Sequence, residues 1–166
     1  MNRVKDYRSL AVDLVGWLCN YANDNKIESF VVGVSGGIDS AVSSTIAAKT
    51  GKPVYALGMP LNQSKDQETL SDSHLYWLEC NYPNVKRLKA DLSETYAKLM
   101  TDLTKEFTLE YTGNPMAKAN TKSRLRMVTL YHVAANVNGI VVGTGNKVED
   151  YGCLLYTSPS PRDDEL

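Results

Sequence analysis

The apolar run Phe30-Val31-Val32 feeds directly into Gly33-Val34-Ser35-Gly36-Gly37-Ile38-Asp39-Ser40, and Ala41-Val42-Ser43-Ser44-Thr45-Ile46-Ala47-Ala48 follows. That order reads as a buried strand, a glycine-rich turn, and a helix opened by Ser and Asp. A helix N-terminus presents N–H groups that lack intrahelical acceptors, at the positive end of the helix dipole, so it suits an anion. Gly36 and Gly37 let the backbone turn tightly and approach phosphate oxygens with no Cβ in the way. No Lys-Ser/Thr pair follows the glycines, so the turn is not a Walker A loop. Asp39 stands there instead, and its carboxylate would repel phosphate unless a Mg²⁺ ion bridged the two. The plain alternative is an ordinary strand-to-helix turn with a Ser/Asp cap. Two Ser, two Gly and one Asp coinciding in this context weigh against it.

The rest of the chain repeats the strand–helix alternation. Val4, Tyr7, Ala11, Leu14, Val15, Leu18 and Ala22 recur at helical spacing, predicting an amphipathic helix over residues 3–25 that covers a sheet. The helix after the glycine turn is expected to end near Gly51. Pro53–Met59 reads as a second strand stopped by Pro60. Residues 64–80 read as a helix with Leu70, Leu75, Trp77 and Leu78 supplying its apolar contacts, and Val85–Ala90 as a weaker strand near an edge. A further helix spans 93–108, with Tyr96, Leu99, Met100, Leu103 and Phe107 on one side. Asn114-Pro115 then marks a helix start that runs to about Asn138, ended by Gly139. Ile140–Gly143 is a short buried strand. The class is therefore α/β: a three-layer sandwich with a parallel, Rossmann-like sheet and ligands at the strands' carboxyl ends.

Composition excludes several partners. A net charge of −1 and 43% hydrophobic residues are ordinary for a globular protein and give no basic nucleic-acid surface. No apolar run is long enough for a membrane span, and the polar amphipathic start does not read as a signal peptide. Cys19, Cys80 and Cys153 are odd in number and widely spaced, which suits neither a disulfide framework nor a zinc site, so a cytoplasmic setting is expected. No Ser-His-Asp triad can be argued, and His74 and His132 read as structural or surface residues.

Ser35-Gly36-Gly37-Ile38-Asp39-Ser40 resembles the pyrophosphate-loop signature of the ATP pyrophosphatases, the adenine nucleotide alpha hydrolase-like group. NAD synthetase, GMP synthetase, asparagine synthetase and tRNA-thiolating enzymes share it. Two later segments narrow the resemblance. Ala119-Asn120-Thr121-Lys122-Ser123-Arg124-Leu125-Arg126-Met127 is similar to the Asn-x-x-[Ala/Ser]-Arg-x-Arg-Met helix of ammonia-dependent NAD synthetases. Val141-Val142-Gly143-Thr144, with Glu149 five residues past the Thr, is similar to that family's strand and loop.

The resemblance implies ATP contacts from Gly33, Val34, Ser35, Gly36, Gly37, Ile38, Asp39, Ser40, Gln63 and Thr144, and Mg²⁺ ligation by Asp39 and Glu149. It implies deamido-NAD⁺ contacts from Asn120 and Arg124, one helical turn apart on a shared face. Lys118, Lys122 and Arg126 form a separate i, i+4 stripe that reads as solvated or at an interface. The implied reaction is ATP-dependent amidation of deamido-NAD⁺ by free ammonia, in a homodimer, with no covalent nucleophile from the protein. Residues 1–152 are expected to form part of the synthetase domain. Relatives continue with Thr-Lys and Gly-Asp-Gly loops and a C-terminal His-Lys pair. Residues 153–166, rich in Ser-Pro and acidic residues, instead read as a non-native disordered tail, so little turnover is expected of this chain. Two other readings stay open: a tRNA thiolase-like enzyme, and a non-catalytic nucleotide-binding module.

Overall fold

The computed structural model describes residues 6–62, 64–107 and 113–145. The element order is α1 (Tyr7–Asp24), β1 (Ser29–Val34), α2 (Ile38–Lys49), β2 (Val54–Gly58), α3 (Lys65–Asn81), β3 (Val85–Lys89) and α4 (Ser93–Glu106). After residues 108–112 come α5 (Pro115–Asn136) and β4 (Gly139–Val141). The strands form one parallel sheet in the order β3-β2-β1-β4. The chain therefore walks outward from β1 to β3, then returns through α4 and α5 to place β4 on the other side of β1. That reversal is a topological switch point, and open α/β sheets bind ligands outside the carboxyl ends of the strands that flank one.

The period-2 alternation of β1 divides the core between two faces. Phe30, Val32 and Val34 point to one face and pack with Ala22, Ala47, Ala48, Leu75 and Leu78 from α1, α2 and α3. Val31 points to the other and packs with Leu57, Met59 and Ala134, with Leu130 and Val133 of α5 closing over them. Helices thus cover both faces, which makes the three layers. Fully burying each large aliphatic or aromatic side chain here is worth roughly 1.5–3 kcal/mol. β1 is buried almost throughout, as a central parallel strand requires, whereas β4 is only partly buried.

Local chemistry sets the element ends. Asp6 caps α1, its Oδ1 accepting from the N–H groups of Arg8 (2.9 Å) and Ser9 (3.3 Å). Ser64 caps α3 and Asn114 caps α5, with Pro115 in the first turn as expected. The helix after the glycine turn departs from the reading as one opened by Ser and Asp. Its N-cap is Gly37, which makes no side-chain capping bond, and Asp39 lies inside the first turn. At the far end of α5 the expected stop at Gly139 is also corrected: Asn138 takes the left-handed conformation (φ 46°), and Gly139 already belongs to β4. Asn tolerates that region because its short polar side chain bonds locally.

The apolar faces of three helices are narrower than their sequence periodicity suggests. In α3, Leu75 and Leu78 are buried, while Leu70 and Trp77 remain exposed. In α4, Tyr96 is buried and Phe107, just beyond the helix, is exposed. In α1, Ala22 is buried and Leu18 packs on the core, but Tyr7 is 68% exposed and Val4 lies outside the described residues. No other described element covers the outer sides on which these exposed residues lie.

α2 and α3 are pinned to each other by a polar contact, Ser44 Oγ to His74 Nε2 at 2.9 Å, and His74 stacks on Trp77 with ring centroids 5.5 Å apart. Burial lowers the His74 pKa from its ordinary value of 6.5, partly opposed by a backbone hydrogen bond involving Ala41. A folded-state pKa below the unfolded one means that the unfolded chain binds the extra proton more readily. The associated stability is fully present above about pH 6.5 and is lost as pH falls through the lower folded value. Thermal melts between pH 7.5 and 5 are expected to show a declining Tm whose slope shrinks in His74→Asn. An identical slope in the variant would contradict this.

Candidate functional site

The passage from β1 to α2 is held by its two serines. Ser40 Oγ donates to Gly37 O (2.9 Å) and accepts from Ser35 N–H (3.1 Å). Ser35 Oγ lies 3.1 Å from Ser40 Oγ and accepts from Gly37 N–H (3.2 Å). Since the Ser40 hydroxyl proton is committed to Gly37 O, the Ser35 hydroxyl must donate to Ser40. Ser40 is buried and ties the loop from within, while Ser35 is exposed on its outer side. The first ladder bond of α2 runs from Ala41 N–H to Gly37 O (3.2 Å), which leaves the N–H groups of Ile38, Asp39 and Ser40 upstream of the ladder at the positive helix end.

α3 is the platform under this loop. Ser71, buried, donates to Val34 O at 2.7 Å and so fixes the residue that enters the turn. Gly36 has φ +88°, and a Cβ there would stand 2.6 Å from Gln67 O and 3.2 Å from Ser71 N. Gly36 is therefore required twice, by conformation and by contact. Gly37 is required by neither: its φ is −85° and a Cβ would meet only Ser35 Oγ at 3.4 Å. Leaving that position bare keeps the loop's outer side open.

A cavity of about 240 Å³ lies at the switch point, beyond the carboxyl ends of β1, β2 and β4. Gly33, Val34 and Ser35 form one wall, Val141 and Thr144 another, and α5 contributes Ser123, Arg126, Met127, Leu130 and Tyr131. Met59 closes the β2 side. Gly33 keeps the floor low, since a Cβ would press on Met59 Cε at 3.2 Å and Leu130 Cδ1 at 3.3 Å. The lining mixes apolar walls with polar groups at the β1 and β4 ends and, on α5, from Ser123, Arg126 and Tyr131, a composition that suits a ring system carrying a polar or charged appendage.

The residues singled out from sequence divide into groups. Gly33, Val34, Ser35 and Thr144 meet around the cavity. Gly36, Gly37, Asp39 and Ser40 form the adjoining loop and helix start. Ile38 belongs to that loop but turns outward, 73% exposed, onto a surface groove with His74 and Trp77. Asn120 is buried at 8% exposure, and Arg124 Nη1 donates to its carbonyl at 3.3 Å; neither lines the cavity. Gln63 and Glu149 lie outside the described residues, as does the tail at 153–166.

Of the two readings of the basic stripe, solvated or at an interface, the solvated one does not hold for Arg126. Its Nε donates to Met59 O at 3.1 Å, it lines the cavity, and burial lowers its pKa from the ordinary value. Lys122, from the same stripe, instead sits over the Tyr96 ring, 5.3 Å from its centroid. The spacing Ser123, Arg126, Met127, Leu130, Tyr131 is an i, i+3, i+4, i+7, i+8 face, a signal present in the sequence that charge spacing alone obscured.

For Mg²⁺, the donor chemistry fits in part. Asp39 is an exposed carboxylate in the first helical turn beside the loop, and a hard cation held by one carboxylate, phosphate oxygens and water is an ordinary arrangement. Among the described residues no group of three or more His, Cys, Asp or Glu could hold a metal alone.

A family model described as NAD synthase matches residues 10–154. The chain belongs to the NAD synthase family. It is 36% identical over 136 residues to the NH(3)-dependent NAD(+) synthetase of Carboxydothermus hydrogenoformans, an alignment covering 82% of this chain and 54% of that protein. Against the solved NMN synthetase of Francisella tularensis the TM-score is 0.78 with 32% identity, covering 89% of this chain and 58% of the other. The NAD⁺ synthetase of Burkholderia pseudomallei shares the fold, with a TM-score of 0.75 at 23% identity. The chain thus spans about half the length of the curated NAD synthase relatives it matches, 54% and 58% for two of them. The parallel sheet with helices on both faces and the pyrophosphate-type loop after β1 are features of this family fold, as the sequence implies.

Proposed function

We propose that the protein takes part in the ATP- and Mg²⁺-dependent amidation of deamido-NAD⁺ to NAD⁺, with ammonia as nitrogen donor. The observation that carries this reading is the cavity at the switch point, where the loop after β1 and Thr144 beyond β4 face one another in a chain of the NAD synthase family. In the proposed reaction a carboxylate oxygen of deamido-NAD⁺ attacks the α-phosphorus of ATP and pyrophosphate leaves. Ammonia then attacks the acyl carbon, AMP leaves, and the nitrogen gives up a proton. The chain's own contribution is alignment and charge. The first-turn N–H groups of α2 face the departing pyrophosphate, and the apolar walls from Met59, Met127, Leu130 and Val141 receive the adenine. Mg²⁺, held by Asp39 and, in this reading, Glu149, would neutralise the pyrophosphate charge. Asn120 and Arg124 are proposed to act on the dinucleotide side.

Met127, Val128 and Tyr131 are exposed on α5 beside the cavity, which supports a homodimer built on this face. No helix among the described residues is long and apolar enough to cross a membrane, and a cytoplasmic setting completes the proposal.

One specific observation favours a second substrate: the 32% identical structural relative is an NMN synthetase, so the acceptor could equally be the mononucleotide. Calorimetry with Mg·ATP on the 166-residue chain is the first test, and saturable binding is expected. Calorimetry with deamido-NAD⁺ and with nicotinate mononucleotide in the presence of Mg·ATP then separates the two acceptors by which one binds, since little turnover is expected of this chain. Failure to bind Mg·ATP overturns the proposal.

A further inference from the structure

A hydroxyl inside a helix often turns back to a carbonyl of the preceding turn. Thr45, Thr69, Thr121 and Thr129 do so, each donating to the carbonyl four residues earlier. Ser71 does not. Its Oγ leaves α3 and donates to Val34 O at 2.7 Å, with the side chain buried. Val34 closes the ladder between β1 and β2, opposite Gly58, and β1 ends there. The bonds among Ser35, Gly37 and Ser40 run within the turn, so they set its shape but not its position against the sheet. Ser71 acts on position. Its backbone nitrogen also bounds the space at Gly36, 3.2 Å from where a Cβ would stand. Gly58 permits the close approach, since a Cβ there would stand 2.9 Å from Leu75 Cδ1 on the same helix. One turn further along α3, His74 meets Ser44 of α2 at 2.9 Å. α3 thus holds both the strand that enters the turn and the helix that leaves it.

We infer that Ser71 is a positioning residue for nucleotide binding: by seating Val34 it places the first N–H groups of α2 where the terminal phosphates meet them. This rests on the nucleotide reading above and adds to it a residue from outside the loop. Ser71 does not line the cavity, so it acts through the backbone that it holds. Binding groups have to stand within roughly 0.5 Å of their productive geometry, so a small shift of the turn is enough to weaken a phosphate contact. The competing account is that Ser71 only fastens α3 to the sheet. The two accounts differ in what they do to AMP, which carries the base, ribose and first phosphate but lacks the two that reach α2.

The test is calorimetric binding of AMP and Mg·ATP to the unsubstituted chain, Ser71→Ala and Ser71→Cys, with circular dichroism as a check on folding. Ser71→Ala is expected to keep AMP affinity and to lose roughly tenfold for Mg·ATP, the scale of one hydrogen bond to a charged group. Ser71→Cys fills the same space with a weak donor, so it should lose Mg·ATP in the same way. A Mg·ATP-to-AMP affinity ratio unchanged in Ser71→Ala overturns the inference. So does an equal loss for both ligands, which assigns Ser71 to fastening alone. A full ratio in Ser71→Cys assigns the effect to packing and overturns it as well. If Ser71→Ala fails to fold, the ratio in Ser71→Cys decides: a fall supports the inference and an unchanged ratio overturns it. If the unsubstituted chain binds neither ligand, the nucleotide reading falls and this inference with it. Binding with an unchanged ratio removes only the role of Ser71.

Discussion

Gly36→Ala is expected to lower the melting temperature by roughly 5–20 °C and to remove nucleotide binding with it. Two independent penalties act at this one position. The backbone sits at φ +88°, where a side chain costs about 1–3 kcal/mol. The new Cβ would also stand 2.6 Å from Gln67 O, a backbone atom of α3 that cannot rotate away. Relieving that contact means moving α3 off the loop, which stretches the Ser71–Val34 bond and loosens Leu75 and Leu78 in the core. Overpacking of this kind adds about 1–3 kcal/mol. Together the two are a large part of the ~5–15 kcal/mol that holds an ordinary domain folded, and for a chain of this size each kcal/mol moves Tm by about 2–4 °C.

The neighbouring glycine supplies the control. Gly37→Ala has room and an ordinary φ, so its stability should change by no more than about 1 kcal/mol, the scale of an N-cap substitution. Its affinity for Mg·ATP should nevertheless fall, because the added methyl occupies the side from which phosphate approaches. Thermal denaturation and calorimetry on the pair distinguish the glycine that folds the loop from the one that opens it. Equal melting temperatures for the two variants would contradict this division.

The strands were legible because each is a short apolar run punctuated by Gly or Pro, and their parallel arrangement follows from the helices between them. The loop was legible for a different reason. Its glycines, serines and aspartate are a chemical pattern that survives without knowledge of tertiary neighbours. What sequence could not show was which neighbour enforces each residue. The collision at Gly36 comes from Gln67, thirty-one positions away, and the hydrogen bond that seats Val34 comes from Ser71. For Arg126, i, i+4 charge spacing suggests a stripe either solvated or at an interface and cannot choose between them, because burial is decided by α5 crossing the end of β2. Ile38 joins the phosphate loop through the resemblance of the whole Ser35–Ser40 segment, which fixes no side-chain direction; a helix start turns successive side chains about 100° apart, here carrying the Ile38 side chain outward.

Asp39→Ala is expected to leave the fold almost intact and to abolish the magnesium dependence of ATP binding. Asp39 is exposed in the first turn of α2, where its interaction with the helix dipole is worth about 0.3–1 kcal/mol. Its effect on the ligand is of another order. Losing a metal-supporting group outside the inner shell typically costs 10–100-fold in metal affinity, so losing a direct carboxylate should weaken Mg·ATP by on the order of a hundredfold or more. The sign reverses without metal. In EDTA the carboxylate only repels the triphosphate, and its removal should leave ATP binding equal or tighter. Calorimetry with and without Mg²⁺ therefore reads two opposite changes from one substitution. A variant that loses Mg·ATP and metal-free ATP alike would place Asp39 in the loop's architecture, and one that keeps its full magnesium dependence would remove Asp39 from the metal site.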